Sequence, residues 1–195
     1  MDRDSAETCY RFPAGNGNSL SLDTLIFAKK IQEARGGRVR NHEFPEYETK
    51  NNLHTLWSAR HELDSECLIL YADLMFDDEV LKKMIESPHH VSLAIDSGEV
   101  RPESPHAKIE NGTVTKIDKQ DCNASFLGIG KFSGEGARLL RNEMETLVST
   151  SPNAYYSDAL NGFPAKGIHV APIDIGGASW IEIDDASDLE RARKI

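Results

Sequence analysis

The sequence has few cysteines and no long apolar run. Cys9, Cys67 and Cys122 are odd in number, widely spaced and without a CxxC pair. Such a set supports neither a disulfide framework nor a zinc site. No apolar segment approaches the roughly 20 residues that span a bilayer, and the first residues lack the basic and apolar segments of a signal peptide. We therefore expect a cytoplasmic protein that does not bind a membrane.

The sequence also has fewer basic than acidic residues. The 195 residues include 22 Lys and Arg against 32 Asp and Glu, which gives a formal net charge of −10. A surface of that sign repels a polyanion, so nucleic acid is not an expected partner. A single nucleotide is compatible with this balance, because local Lys or Arg and a metal ion can meet its few charges.

Strand and helix signals alternate from about residue 50 to the end. The pattern predicts one α/β domain, which we expect to be a three-layer α/β/α sandwich around a mixed, mainly parallel sheet. Asn111 and Gly112 stand between two alternating segments and predict a β-hairpin insertion. Residues 1–40 differ, since they combine a polar Gly/Asn/Ser cluster with one amphipathic segment at 22–34. We treat them as an atypical N-terminal segment.

Two acids stand at the ends of apolar segments that are far apart in the sequence. Asp73 follows the segment 67–72, and Asp184 follows 179–183. The pattern predicts a carboxylate at the carboxyl end of each buried strand, with helix-forming sequence behind it. In an open α/β sheet, ligands bind in the crevice outside those strand ends. Because Mg2+ binds through few carboxylates together with substrate phosphates, the pair favours phosphate chemistry on a nucleotide.

Five segments carry a family resemblance. They are 49–57 with the pair Asn51-Asn52, 68–73, 112–119 ending in Lys119, 126–133, and 180–184 followed by 188–192. No single segment is specific, but their order is. In this order they make residues 41–195 resemble the nucleotidyltransferases that activate sugar phosphates, above all the branch that uses phosphocholine or aminoethylphosphonate.

The resemblance implies a reaction and a metal site. In this family a nucleoside triphosphate is joined to a phosphorylated or phosphonylated substrate, and pyrophosphate is released. By resemblance, Asp73 and Asp184 would hold Mg2+ across the phosphates, with Glu182 as a further ligand. Such a transfer depends on positioning and charge neutralisation more than on a protein nucleophile. The nucleotide that the resemblance favours is CTP.

The same resemblance implies substrate-binding residues. Lys119 would place a positive charge at the acceptor's phosphate and is counted as catalytic together with the two strand-end acids. Asn51 and Asn52 would supply amide hydrogen bonds to a substrate. Ser125 stands where the family has an acid, so it would line the acceptor site while weakening the recognition of a cationic head group.

Each of these residues also has a purely structural interpretation. Asp73 could cap the next turn or helix, and Asp184 could cap the last helix. Glu182 alternates with two isoleucines, which is typical of the solvated face of a strand. Lys119 has the context of a surface lysine at a hairpin end, and the two asparagines have that of a helix cap. The sequence leaves both interpretations open.

The glycine-rich loop of the family is missing from its expected place. In the family that loop follows a strand and cradles the triphosphate with backbone N–H groups, a task that needs glycine. Here Gly15-Asn16-Gly17 follows no apolar strand, and Gly36-Gly37 ends a helical segment. Ala72 also replaces the glycine that precedes the metal-binding Asp in the family.

Three hypotheses are compatible with this gap. The first is a magnesium-dependent enzyme whose phosphate cradle comes from the N-terminal segment or from another chain. The second is a non-catalytic domain that binds a nucleotide or metabolite. The third is a fragment of a longer enzyme, whose exposed sheet edge would favour a homodimer.

Overall fold

The structure is a computed structural model that describes residues 44, 46, 49–98, 100–101 and 104–194. The predicted helix at 22–34 and the expected N-terminal segment lie outside these residues. The described helices are α1 (Asn52–Ser58), α2 (Asp78–Glu86), α3 (Gly134–Thr150), α4 (Tyr156–Ala165) and α5 (Ala186–Ala192). The described strands are β1 (Cys67–Leu70), β2 (Leu74–Phe76), β3 (Val91–Asp96), β4 (His106–Glu110), β5 (Thr113–Asp118), β6 (Ala124–Phe132), β7 (Ala171–Asp174) and β8 (Trp180–Glu182).

One mixed sheet forms the centre of the described domain. Its strand order is β5-β4-β6-β3-β7, and β1 pairs with β6 beside β4. The strands β3 and β7 run parallel, whereas the other described pairs are antiparallel. The expected mixed sheet is confirmed, but parallel pairs do not predominate among the described strands. The reason is β6, which is long enough to pair with β3 along one edge and with β1 and β4 along the other, antiparallel to all three.

Helices cover both faces of this sheet. Along β3, Leu93 and Ile95 pack in one cluster with side chains of α1, α3 and α4, whereas Ala94 packs in another with Val80 and Met84 of α2. Because successive side chains of a strand point to opposite faces, the two clusters lie on the two sides of the sheet. The expected three-layer sandwich is therefore confirmed. Within the described residues, no helix has both the length and the apolar character needed to cross a bilayer.

The predicted hairpin connects β4 and β5. Asn111 and Gly112 link the strands, and both have positive φ, 50° and 75°. A two-residue turn of this kind matches the twist of the paired strands, which is why Asn-Gly is favoured there. On the outer side of β5, the Asn161 amide of α4 exchanges two hydrogen bonds with the Ile117 backbone, at 2.7 and 2.9 Å. These bonds satisfy backbone groups that a sheet edge would otherwise expose.

A β-bulge in β6 lets the segment that leads to Asp73 pack against the sheet. The register of β3 against β6 shifts between Leu93 and Ile95, and Gly128 in the facing segment has φ of 74°. A Cβ at Gly128 would lie 2.4 Å from the Tyr71 ring. The Tyr71 N–H also donates to the Gly128 carbonyl at 3.2 Å. Glycine at this bulge therefore makes space for Tyr71, two residues before Asp73.

Tyr156 is a buried tyrosine whose hydroxyl has no hydrogen-bond partner among the described residues. Burial raises the pKa of this phenol well above its usual value. Because an unpaired buried hydroxyl costs about 1–3 kcal/mol, we expect Tyr156→Phe to leave the free energy of unfolding unchanged or to raise it by up to about 1 kcal/mol. Urea denaturation checks this expectation, and a loss of more than about 1 kcal/mol would contradict it.

Candidate active site

A two-stranded ribbon beside the main sheet brings the two strand-end acids together. The strands β2 and β8 pair antiparallel with Leu74 opposite Glu182. One more hydrogen bond, from the Ile183 N–H to the Asp73 carbonyl at 2.8 Å, extends this ladder. A strand therefore follows Asp73 directly, where helix-forming sequence was expected, because these residues pair with β8. The register places Asp73 beside the chain that leads into Asp184.

The three acids expected as metal ligands form one cluster, here called the acidic triad: Asp73, Glu182 and Asp184. One carboxylate oxygen from each lies within 4.8 Å of the others. Asp73 and Glu182 are half-buried, and Asp184 is exposed. The Asp73 Oδ1 atom is buried and has no hydrogen-bond partner in the described part of the chain. Close carboxylates repel each other and a buried unpaired oxygen costs free energy, so this arrangement favours a bound cation.

The triad fits an ion of the size of Mg2+. In an octahedral Mg2+ site, neighbouring ligand oxygens stand about 2.9 Å apart and opposite ones about 4 Å apart, since each Mg–O distance is about 2.0–2.1 Å. Three oxygens that already lie within 4.8 Å of one another reach these spacings when their side chains turn towards the ion. Mg2+ takes oxygen ligands and combines a few carboxylates with water and substrate phosphates. The exposure of Asp184 makes the triad accessible to such further ligands.

The helix-cap role that was an alternative for Asp184 belongs to the next residue. Asp185 is the N-cap of α5, and its carboxylate accepts from the Asp188 N–H at 2.9 Å. The Asp188 carboxylate in turn accepts from the N–H groups of Asp184 and Asp185. A hydrogen bond from Arg191 lowers the pKa of Asp188. This capping box fixes the backbone at Asp184 without using its side chain as the cap.

A second group of polar residues adjoins the triad, and the sequence motifs do not indicate it. Asp96, the last residue of β3, is buried and accepts from the Trp180 indole N–H at 2.9 Å. The Arg101 guanidinium lies over the Trp180 ring, 4.1 Å from its centroid. Ser104 donates from Oγ to a Glu182 carboxylate oxygen at 3.3 Å. Asp96 ends an apolar strand as the two strand-end acids do, and this shared position is the signal that could have identified it.

Comparison with known proteins finds similar sequences and similar structures. Over 188 residues the chain is 27% identical to the CMP-5'-(3-aminopropyl)phosphonate synthase of Streptomyces rubellomurinus, a match that covers 83% of this chain and 29% of the synthase. Over 172 residues it is 22% identical to the CTP:phosphoglutamine cytidylyltransferase of Campylobacter jejuni, which covers 74% of this chain and 68% of that protein. The fold is similar to that of the inositol-1-phosphate CTP transferase from T. maritima, with a TM-score of 0.68, 19% identity and coverage of 85% and 69% of the two chains. No protein-family model matches.

The chain resembles cytidylyltransferase-like nucleotidyltransferases. The family resemblance expected from the five ordered segments is thus confirmed, and so is the α/β fold of a nucleotidyltransferase. The chain spans 29% of the length of the Streptomyces synthase and 68% of the Campylobacter cytidylyltransferase.

Two residues that the nucleotidyltransferase resemblance implicates, Ser125 and Lys119, lie at one end of the main sheet. The strand registers place Asp96 of β3, Ser125 of β6 and His106 of β4 side by side across the sheet. His106 in turn lies opposite Asp118, the residue before Lys119. Three strand spacings of about 4.8 Å put the Lys119 backbone roughly 14 Å from Asp96. Ser125 is fully buried, and its Oγ accepts from the Arg101 N–H at 2.9 Å. The structure thus brings Ser125 to the second polar group and leaves the exposed Lys119 farther away.

The asparagine pair holds neighbouring chain segments. Asn51 occupies the N-cap position of α1, but its side chain makes no cap hydrogen bond. Its Nδ2 donates instead to the Asn153 carbonyl at 2.6 Å. Asn52 is buried, and its Oδ1 accepts from the Tyr156 N–H at 2.6 Å. Both side chains therefore connect α1 to the start of α4, and neither makes the side-chain cap that was the structural alternative.

Proposed function

We propose that this chain is a Mg2+-dependent nucleotidyltransferase that transfers CMP from CTP to a small phosphocholine- or aminoethylphosphonate-like acceptor and releases pyrophosphate. The acidic triad carries the proposal, because its three carboxylates within 4.8 Å suit a hard divalent cation. The sequence relatives support a cytidine nucleotide, since their names include CMP and CTP. The same names, with aminopropylphosphonate and phosphoglutamine, support an acceptor that carries a phosphonate or phosphate group.

The proposed reaction needs no protein nucleophile. An oxygen of the acceptor's phosphate or phosphonate attacks the α-phosphorus of CTP. The bond from that phosphorus to the oxygen that bridges to the β-phosphate breaks, and pyrophosphate leaves with the electron pair. Mg2+ would neutralise charge on the phosphoryl oxygens. Asp73, Glu182 and Asp184 would hold the ion in place, and the ribbon of β2 and β8 fixes their relative positions.

The other residues take different roles in this proposal. Lys119 is exposed at the sheet end, and we assign its charge to the acceptor's phosphate. Asn51 and Asn52 act indirectly, because their amides hold the start of α4. In the proposed organisation, 41–195 is the nucleotidyltransferase-like domain, and the cradle for the triphosphate comes from 1–40 or from another chain.

Pyrophosphate release tests this proposal. The protein is incubated with each common nucleoside triphosphate and with phosphocholine, 2-aminoethylphosphonate, 3-aminopropylphosphonate or phosphoglutamine, in Mg2+ or in EDTA. We expect release that requires CTP, an acceptor and Mg2+ together. If no combination releases pyrophosphate, the proposal that the chain is an enzyme is contradicted. If calorimetry then shows tight binding of CTP, the hypothesis of a non-catalytic binding domain is favoured.

A further inference from the structure

Arg101 borders the acidic triad. Its guanidinium stacks on Trp180 and donates from Nη1 to the Trp180 carbonyl at 2.8 Å. Trp180 and Glu182 are two residues apart on β8, so their side chains project to the same face of the ribbon, about 7 Å apart. Ser104, three residues after Arg101, donates to the Glu182 carboxylate. Ser104 therefore contacts the triad directly, and Arg101 lies beside it on Trp180, two residues before Glu182.

The surrounding residues hold Arg101 in one orientation. The backbone N–H of Arg101 donates to Ser125 Oγ at 2.9 Å, and its backbone carbonyl accepts from His106 Nε2 at 2.7 Å. Asp96 accepts from the indole N–H of Trp180, on whose ring the guanidinium lies. A carboxylate that accepts this bond increases the electron density of the indole, and a more electron-rich ring attracts a cation more strongly. The backbone hydrogen bonds of Arg101 and the Trp180 ring together preorganise the guanidinium.

The negative charge of the proposed substrates favours a further cation beside the triad. Two substrates would bring several phosphoryl oxygens to three carboxylates, and a guanidinium binds such oxyanions with paired N–H groups. Its five N–H donors allow contacts with protein groups and with an oxyanion at the same time. We infer that Arg101 binds a phosphate-type oxyanion at the triad, from either the acceptor or the triphosphate of the nucleotide. This inference rests on the proposed function.

A second Arg–Trp pair supplies a matched control. The Arg60 guanidinium lies 4.8 Å from the centroid of the Trp57 ring and donates to the Trp57 carbonyl at 3.1 Å. The stacking and the carbonyl bond are the same as in the pair of Arg101 and Trp180. Arg60, however, is exposed in the turn after α1, away from the ribbon. Arg60→Gln therefore removes an equivalent stacked arginine without changing the triad.

Steady-state kinetics of pyrophosphate release test the inference with Arg101→Gln, Arg101→Lys and Arg60→Gln. We expect Arg101→Gln to raise the KM of one substrate by about 10- to 100-fold. Arg101→Lys should recover part of this loss, because it keeps the charge but not the planar fork. A raised KM for the acceptor assigns the oxyanion to the acceptor, and a raised KM for CTP assigns it to the nucleotide. Unchanged KM values for both substrates, or an equal effect of Arg60→Gln, would overturn the inference.

Tryptophan fluorescence gives a measurement that needs no turnover. The chain has two tryptophans, so Trp57→Phe leaves Trp180 as the only reporter. We expect pyrophosphate or methylphosphonate to change this fluorescence saturably, and Arg101→Gln in the same background to weaken the response at least about tenfold. An absent response, or one that survives the loss of Arg101, overturns the inference. Arg101-dependent binding in a protein that never releases pyrophosphate would refute the proposed function alone.

Discussion

Replacing Asp73 or Asp184 by asparagine is expected to lower Mg2+-dependent pyrophosphate release by at least roughly 100-fold. Asparagine keeps the size of the side chain but removes the charge that holds the cation. Asp73 contributes a buried oxygen without a partner in the described structure, and Asp184 completes the triad from the exposed side. The fold should survive, since Asp185 rather than Asp184 caps α5.

Thermal unfolding separates the loss of the metal site from a loss of the fold. Without divalent ions, Asp73→Asn and Asp184→Asn should unfold at the same temperature as the wild type or higher, because one of three repelling charges is gone. With Mg2+, proteins with an intact triad should gain stability from metal binding, and the two triad variants should not. Asp78→Asn, which removes an exposed acid from the first turn of α2, is the control. Full pyrophosphate release by either triad variant would refute the assignment of these acids.

Gly128→Ala is expected to lower the free energy of unfolding by about 3 kcal/mol or more. One cost is the left-handed φ of 74° that alanine would have to adopt. The other is a Cβ only 2.4 Å from the Tyr71 ring. That ring is fixed edge-on against Phe126 and Tyr156, so it has little room to retreat. A displaced Tyr71 also shifts Asp73, and activity should fall together with stability.

Gly167→Ala is the matched control for the bulge. Gly167 has a similar φ of 71°, but no atom lies within 4 Å of the Cβ that alanine would add. Only the backbone cost of about 1–2 kcal/mol is then expected. Urea denaturation of both variants measures the difference. Equal losses at the two positions would mean that the contact with Tyr71 costs nothing, which contradicts the packing described for the bulge.

The sequence predicts that the two strand-end acids share one site, but it does not predict the strand β2, which brings them together. Asp73 and Asp184 each follow an apolar segment, and the ligand-binding side of an α/β sheet lies at strand ends. The strand β2 has three residues, too few for a periodic signal. Its existence depends on pairing with β8, far away in the sequence.

The hairpin turn could be predicted from the local sequence, whereas the pairing of distant strands could not. Asn111 and Gly112 predict their hairpin because the two residues themselves tolerate positive φ. The predominance of antiparallel pairs among the described strands follows from β6, whose three partners come from distant parts of the chain. Arg101 is hidden from sequence reasoning for the same reason. Its position depends on Trp180, which lies 79 residues later.

Calorimetric titration of CTP tests the acidic triad most directly. It compares the wild type in Mg2+, the wild type in EDTA, and Asp184→Asn in Mg2+. We predict that CTP binds the wild-type protein in Mg2+ and that either change weakens this binding by at least about tenfold. Equal affinity under all three conditions would contradict the central claim that these acids hold a nucleotide through a divalent cation.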